Sequence, residues 1–547
     1  SHIDAFAARL STTPRSLKAE DRRALMRELR QAGCMDVRRA AEIVREMMPD
    51  AIVTVGSELY PQIREYTRTS TAVTNAYLAP ILKRYVTAVD SYFRSLGARY
   101  PVRYFQSNGG LAIGQVMSDR SVYAINSGPA SAPTAGLHVT RPFDGRNIIT
   151  VDMGGTSFDI TLTHDGTTNL NKNIDFLRYR IGVPMIQVET LGAGGGSIGW
   201  IDELGLLQVG PQSAGSDPGP ASYGQGGKEP TTTDANLWLG RINRDYFCGG
   251  AIEADMVSAE KALSEVAAKL GGSADDVARG IIRIANNNMV NALKLVSLNR
   301  GHDPRDFILI AFGGGGGMHA VALGVELGVR KVVIPAGASV FSAWGMMMSD
   351  LRRDYFVTKL ADLKQGAGAV IEHVFTEAEA AALKQFGEEG VARDKVKFLR
   401  YGKFRYQNQE HTTEVLVEGT VTDARLAEIE SAFHETYERE YTYRLTAPVE
   451  LVGIHLVAAT EVGKLTMQEQ QQGSPDASPA LKGERDVDYA LEGIHKARIY
   501  NGEKLTPGMR FNGPAVVEDP GTTVVVHPGN RVEVDGFGNI HIHLQGA

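Results

Sequence analysis

The run from Asn147 to Leu162, NIITVDMGGTSFDITL, constrains the fold of this chain more than any other stretch. Two apolar segments flank a turn of two glycines and two hydroxyl residues. This is the pattern of a hairpin whose tip carries no Cβ to keep a ligand away. Backbone N–H groups at such a tip can cradle phosphate oxygens. Gly154 and Gly155 supply the bare backbone, and Thr156 and Ser157 add hydroxyl donors. Asp152 and Asp159 flank the turn, and a carboxylate such as Asp152 can hold hydrated Mg2+ through water. The competing reading is a plain hairpin turn with polar residues in it. The paired acids, paired hydroxyls and apolar strands together favour the phosphate cradle.

Two further glycine clusters follow. FILIAF (307–312) and VRKVVIPAG (329–337) are apolar strands joined by the helical MHAVALGVELG, which makes a βαβ unit. Gly313, Gly314, Gly315 and Gly316 sit where the first strand meets the helix, so a nucleoside or phosphate can approach the backbone at a helix N-terminus. No Gly-Lys-Ser/Thr follows, which excludes a P-loop, and consecutive glycines do not fit the dinucleotide fingerprint. The other cluster, LGAGGGSI, presents Gly194, Gly195, Gly196 and Ser197 as a flexible loop able to wrap a ligand. Asp217-Pro-Gly-Pro220 and Thr231-Thr-Thr-Asp234 occupy loop positions beyond it. No histidine pair has metal-ligand spacing, and His319 reads as a structural histidine.

Elsewhere the pattern is mixed. LKAEDRRALMRELRQ and VRRAAEIVREMM, within 15–50, read as helices from their three- and four-residue apolar spacing. AIVTVGSEL (51–59) reads as a strand. TAVTNAYLAPILKRYVTAVDSYFRSLG reads as a helix that tolerates Pro80 or breaks there. Residues 255–300 are helical with Asp275 and Asp276 in a first turn, and 366–390 is an Ala/Glu-rich helix. VKFLRYGKFRYQ and TTEVLVEG are strands. MQEQQQGSPDASPALKGE (467–484) reads as a mobile polar linker. The short strands beyond it make a small all-β module, expected to dock on the core rather than merge with it.

Composition excludes several function classes. Charge is 57 − 64 = −7 and scattered, which argues against a nucleic-acid surface. No run approaches about 18 apolar residues, so no membrane span is expected. Two cysteines, Cys34 and Cys248, make no disulfide framework, and no signal peptide is visible, which points to the cytoplasm. The chain begins without Met, so residues are expected upstream.

Taken together, these motifs resemble the hydantoinase A / 5-oxoprolinase family, an α/β family with the sugar kinase–actin–Hsp70 ATPase fold. The matches run through Glu65-Tyr-Thr-Arg68, Asn75-Ala-Tyr77, Asn126-Ser-Gly-Pro129, DMGGTSFD and LGAGGGSI with Trp200-Ile-Asp202. They continue through GSDPGPASYG, TTTDANL, Arg300-Gly-His-Asp-Pro-Arg305, FGGGGGMHA and GPAVVEDPGTTVVV. The resemblance implies two actin-like halves closing on ATP and Mg2+, with DMGGTSFD as the second phosphate hairpin and Gly313–Gly317 as the adenosine loop. The family's first hairpin, a separate Asp-x-Gly-Gly-Thr type near the N-terminus, is not in this chain. The implied division is a first-half remnant (1–140), the second actin-like half (141–360), an α+β domain (361–466), the linker (467–484) and the β module (485–547).

The resemblance also implies a hydantoinase B-type partner subunit, with a transition metal, if any, on that partner. The substrate is a small carbonyl compound activated by phosphorylation, through Asp152, Asp159 and Glu189. This chain has Gln187 and Glu189 where the family has Asp and His, and five glycines with Met318 where the family reads Gly-Gly-Ala-Gly-Pro. The first departure tilts the reading toward a ketone carboxylase of the acetophenone or acetone type, with bicarbonate as co-substrate. The alternatives are ATP-dependent hydrolysis of a cyclic amide and, in another class, a non-catalytic scaffold subunit.

Overall fold

Strands buried on both faces read as unbroken apolar runs, and two such runs form the centre of the larger sheet. In the computed structural model, which describes residues 37–545 apart from 64, 172, 177 and 466, Ile148–Met153 lies parallel to Ile308–Phe312. Ile308 sits beside Ile148 and Phe312 beside Asp152. Lys331–Ile334 continues the sheet in parallel, and the helix Gly316–Leu327 makes the crossover, so the expected βαβ unit is present. On the other side, Phe158–His164 pairs antiparallel with Ile148–Met153, and Glu189–Leu191 pairs with Phe158–His164.

Alternation along the strand assigns each residue to a face. A Cβ on Gly136, in the helix Ala132–Thr140, would meet Ile148, Thr150 and Ile310, so these even-numbered residues face that helix. The Met153 side chain faces the opposite way, toward Gly315. The long helix Ala274–Val296 opens with a capping box between Ser273 and Asp276, with Asp275 and Asp276 in its first turn as expected.

The chain divides into two units, each assembled from separated segments. One takes the described residues up to Ser127 with Leu170–Ile186 and Ser349–Lys464; the other takes Gly128–Asn169, Gln187–Met348 and the residues from Leu465 on. The first unit holds a six-stranded sheet in the order Arg103–Phe105, Leu111–Ile113, Leu351–Asp362, Val449–Thr460, Lys397–Tyr406, Thr413–Leu416. Helices Ala367–Glu388 and Leu426–Tyr441 cover one face through Ile371, Phe375, Phe433 and Tyr437. The expected separate domain at 361–466 is therefore corrected, because its strands share a sheet with 103–113. The helix read over LKAEDRRALMRELRQ lies outside the described residues, while Val37–Met47 is helical as read. Residues 51–59 form no strand: the stretch ends in the short helix Gly56–Leu59, with Gly56 against Arg68 and Ala72 of the helix Glu65–Ser95. That helix runs through Pro80 without breaking. No described helix is long and apolar enough to cross a membrane.

The C-terminal segment is all-β, as its turn pattern predicts, but it is not a docked module. Leu481–Asp488, Ile494–Asn501, Ala515–Asp519 and Thr522–Val526 form a four-stranded sheet. Ile540–His543 instead pairs with Lys331–Ile334 and carries Arg531–Val534 and Arg510–Asn512 into the central sheet. The physical reason is burial: Val332, Val532 and Ile542 are fully enclosed, and Ile542 is paired with Val332 on one side and Val532 on the other. The expected mobile linker is tied down too. Gln470 N–H donates to Gly536 O, Gly473 N–H to Pro507 O, and Arg510 N–H to Pro475 O.

This continuity is testable. Ile542→Ala should cost about 2–5 kcal/mol and raise hydrogen exchange in the strands 308–312 and 331–334. Exchange confined to the C-terminal strands would indicate a module that folds separately.

Candidate phosphate and nucleotide site

The tip of the glycine hairpin is open. A Cβ placed on Gly154 or Gly155 meets no atom within 4 Å, and neither glycine has a positive φ. Packing inside the chain therefore does not require glycine at either position. Gly154 N–H closes the turn on Ser157 O at 3.1 Å, whereas the N–H groups of Gly155 and Thr156 have no hydrogen-bond acceptor among the described residues. Open space beside free, outward N–H groups is what an anion needs.

The loop 191–198 holds this tip from behind. Gly195 N–H donates to Gly154 O at 3.0 Å and Gly196 N–H to Gly155 O at 2.7 Å. A Cβ on Gly194 would lie 2.6 Å from the Gly155 carbonyl carbon, and Gly194 N–H donates to Ser197 Oγ at 2.8 Å. The loop thus uses the N–H groups of Gly194, Gly195 and Gly196 on the chain itself. Behind it, Thr233 N–H donates to Gly195 O at 2.8 Å. The fully buried Asp234 accepts from the N–H groups of Ala221, Ser222 and Thr231 and from Thr231 Oγ. Asp234 positions the site, and its sequence signal is the Thr-x-x-Asp capping box that opens the helix Thr232–Trp238.

Asp152 and Asp159 stand directly opposite each other on adjacent strands. Asp152 Oδ2 accepts from Ser342 Oγ at 3.2 Å; Asp159 accepts from Thr190 Oγ1 at 2.6 Å and Ser157 Oγ at 3.2 Å. Burial raises the Asp152 carboxyl above the ordinary carboxylate range, the Ser342 hydroxyl opposes this, and the Asp159 charge adds to it. Ser342 and Thr190 come from distant segments, and no local pattern marks them.

Gly313 reaches the same strand end. Its φ is +81°, and a Cβ there would lie 2.4 Å from Asp152 Oδ1, so only glycine fits. Gly315 N–H donates to Met153 O at 2.9 Å, and Gly316 opens the helix, in whose first turn Met318 N–H donates to Gly315 O at 3.1 Å. Thr522 Oγ1 donates to Gly313 O at 3.1 Å, and Gly314 lies by Gly521, so the loop 519–523 lines this region as well.

Glu189 is not part of this group. It sits opposite Ile160, which pairs with Val151. By strand alternation its side chain lies on the face away from Asp152 and Asp159. There it pairs with Arg300 at 2.8 Å. His319 is buried and bonded through Nδ1 to Asn286 at 2.6 Å, and burial pushes its pKa down to about 3, so it is a structural neutral histidine.

Among the described residues no cluster of three or more His, Cys, Asp or Glu could hold a metal ion. Mg2+ on a nucleotide does not need one, since one or two carboxylates with phosphate oxygens and water complete its shell. The acid pair at the base of an open hairpin fits that requirement.

A glycine hairpin with an acid pair and a glycine loop at a helix N-terminus, carried on one α/β sheet, defines an ATPase half of the sugar kinase–actin–Hsp70 type. The chain belongs to the hydantoinase/oxoprolinase family: the Hydantoinase/oxoprolinase model matches residues 68–355 and that family's C-terminal domain matches 359–545. It is 44% identical to caprolactamase subunit alpha of Pseudomonas jessenii over 91% of this chain and 72% of the relative. It is 27% identical to the acetone carboxylase beta subunit of Xanthobacter autotrophicus, over 90% of this chain and 70% of the relative. The crystal structure of the ATP-dependent caprolactamase from P. jessenii matches with a TM-score of 0.81 at 43% identity, covering 92% of this chain and 74% of that one. These relatives are named as subunits, so they work in multi-subunit enzymes, and their activities depend on ATP.

Two glycine substitutions separate the roles. Gly155→Ala should leave the thermal midpoint unchanged but weaken ATP binding about tenfold or more, by filling the open space. Gly194→Ala should destabilise by about 1–3 kcal/mol, because its Cβ meets the Gly155 backbone. Equal thermal midpoints for both variants would contradict the arrangement.

Proposed function

We propose that this chain is the ATP-binding subunit of an ATP-dependent cyclic amidase, activating the amide of a lactam or a related ring for hydrolysis. The open hairpin tip carries the ATP assignment: a scaffold has no use for two glycines that packing does not demand. The substrate assignment rests on the greater similarity to caprolactamase than to acetone carboxylase. The tilt toward ketone carboxylation rested on Gln187 and Glu189. It loses its ground once Glu189 lies on the other face in a pair with Arg300. A hydantoinase B-type subunit serves as the partner, carries any transition metal, and works with this chain in the cytoplasm.

An amide carbon resists water because nitrogen donates into the carbonyl, and phosphorylating the oxygen removes that resistance. Bound Mg2+ would neutralise phosphate charge during the transfer. The chain's own residues position and polarise. The N–H groups of Gly155 and Thr156 would bind the phosphate oxygens, with the Thr156 and Ser157 hydroxyls as further donors. Asp152, kept in place by Ser342, would hold a water of the Mg2+ shell through its charge. Asp159, fixed by Thr190 and Ser157, keeps a second negative charge beside it. The loop 194–197 keeps the tip from moving during transfer.

ADP release by the chain assembled with its B-type subunit, in Mg2+, tests the reading. Lactams, hydantoins or 5-oxoproline should stimulate release; stimulation only by ketones with bicarbonate would replace the cyclic-amide reading. Asp152→Asn should lower turnover on the order of 100-fold, about 3 kcal/mol. Its fold should be as stable as the wild type at pH 7, or more so. A carboxyl whose pKa is raised in the folded state contributes stability at low pH and loses it as pH rises through that pKa, so the charge costs stability at neutrality. Turnover above about a tenth of wild type would reduce Asp152 to a turn residue.

A further inference from the structure

Arg241 is a buried guanidinium without a carboxylate of its own. It is 2% exposed, and its Nε donates to Asp488 O at 2.9 Å. Among the described residues its Nη groups have no hydrogen-bond acceptor and no carboxylate at ion-pair distance. The acids whose charge acts on it, Asp488 and Glu492, are engaged elsewhere. Asp488 Oδ2 accepts from Arg279 Nε at 2.8 Å and Oδ1 from Ala490 N–H at 2.7 Å, while Glu492 Oε2 accepts from His527 Nδ1 at 2.5 Å. Burial lowers the Arg241 pKa to about 10, so the group is charged at pH 7. A charge taken out of water is costly unless it is paired.

Two histidines stand with it. His319 and His527 are 1% and 8% exposed, and the Nε2 of each is buried with no partner among the described residues. The packing of the chain brings the three side chains into one region. Arg241 is held by the carbonyl of Asp488, and the next residue, Tyr489, sets its ring 5.2 Å from that of His527. His527 follows the strand Thr522–Val526, on which the helix Gly316–Leu327 lies so closely that a Cβ on Gly317 would be 2.7 Å from Thr523 O. Met318, beside His319, shares an apolar cluster with Tyr489 and with Ile242, beside Arg241. The charges of Arg241 and His527 both disfavour a proton on His319.

The atoms left over define the occupant. Arg241 offers Nη donors to an anionic oxygen. His319 Nδ1 meets the Asn286 amide oxygen at 2.6 Å, so Nδ1 carries the ring proton and Nε2 is a lone pair that needs a hydrogen. Hydrogen phosphate and bicarbonate supply both an anionic oxygen and an O–H. Chloride and sulfate have no hydrogen to give.

We propose that Arg241, His319 and His527 form a binding site for a small oxyanion that retains a proton, enclosed between the helix Gly316–Leu327 and the C-terminal strands. The site uses none of the hairpin residues and stands apart from the ATP reading.

The test is the thermal midpoint of the full chain in phosphate, bicarbonate, sulfate or chloride at equal ionic strength. A midpoint reports ligand released on unfolding, so an anion already enclosed does not hide the effect. Phosphate or bicarbonate should raise it by at least about 2 °C, the larger shift identifying the oxyanion, and sulfate and chloride should not. Arg241→Met should lose the shift, and Gly155→Ala, altered only at the hairpin tip, should keep it. His319→Asn keeps a donor toward Asn286 and removes Nε2; it should weaken the favoured anion about tenfold and lose the preference over sulfate, and it carries the test if Arg241→Met does not fold. Equal shifts in sulfate, or no shift in any anion, overturn the proposal. So does an Arg241→Met chain that keeps the shift, or one that is more stable than wild type in every anion, the mark of a charge that had no partner. A shift lost in Gly155→Ala places the phosphate at the hairpin, which overturns this site and leaves the ATP reading standing.

Discussion

The candidate site depends on two backbone hydrogen bonds, from Gly195 and Gly196 to the carbonyls of Gly154 and Gly155. A Gly-Gly turn by itself is loose, because glycine loses the most conformational freedom on ordering. With its carbonyls held from one side, the turn presents its N–H groups to the other. The cost of ordering is thus met in folding, before any ligand arrives. Gly194 comes so close to Gly155 that no Cβ fits, so the two glycine clusters form one object. Asp234 extends the support one layer deeper, through Thr233 and Gly195.

Strand alternation then sorts the acids. Asp152 and Asp159 share a face because they are directly paired, and Thr190 joins them because it pairs with Asp159. Glu189, one residue earlier, is sent to the opposite face and meets Arg300. Burial of Asp152 at the strand end, with the Asp159 carboxylate beside it, shifts its carboxyl upward against the Ser342 hydroxyl. Such strain finds its use where a cation and phosphates occupy the space beside it.

The same sheet explains why the C-terminal strands belong with the glycine hairpin and the Gly313 loop. Ile540–His543 completes the edge beside Lys331–Ile334, and the loop 519–523 reaches the Gly313 loop through Thr522 and Gly521. Residues more than 200 positions apart in sequence thereby line one region.

Much of this was legible in the sequence because its cause is local. The hairpin around Gly154, the βαβ unit at 308–334 and the helix with Asp275 and Asp276 in its first turn follow from residue type and spacing over a few turns or strands, whereas spacing left open whether the helix breaks at Pro80. The ordered glycine and Asp motifs also carried the family. What sequence reading missed is decided over long separations. The role of 194–197 depends on contact with Gly155, the fate of Glu189 on its pairing register, and the places of Ser342 and Thr190 on segments brought in from afar. The merging of 540–543 with 331–334, and of 111–113 with 351–362, follows the same rule. A strand's pattern states that it needs a neighbour, but only the folded core, by burying Ile542 against Val332 or setting Leu111 beside Leu351, selects which one.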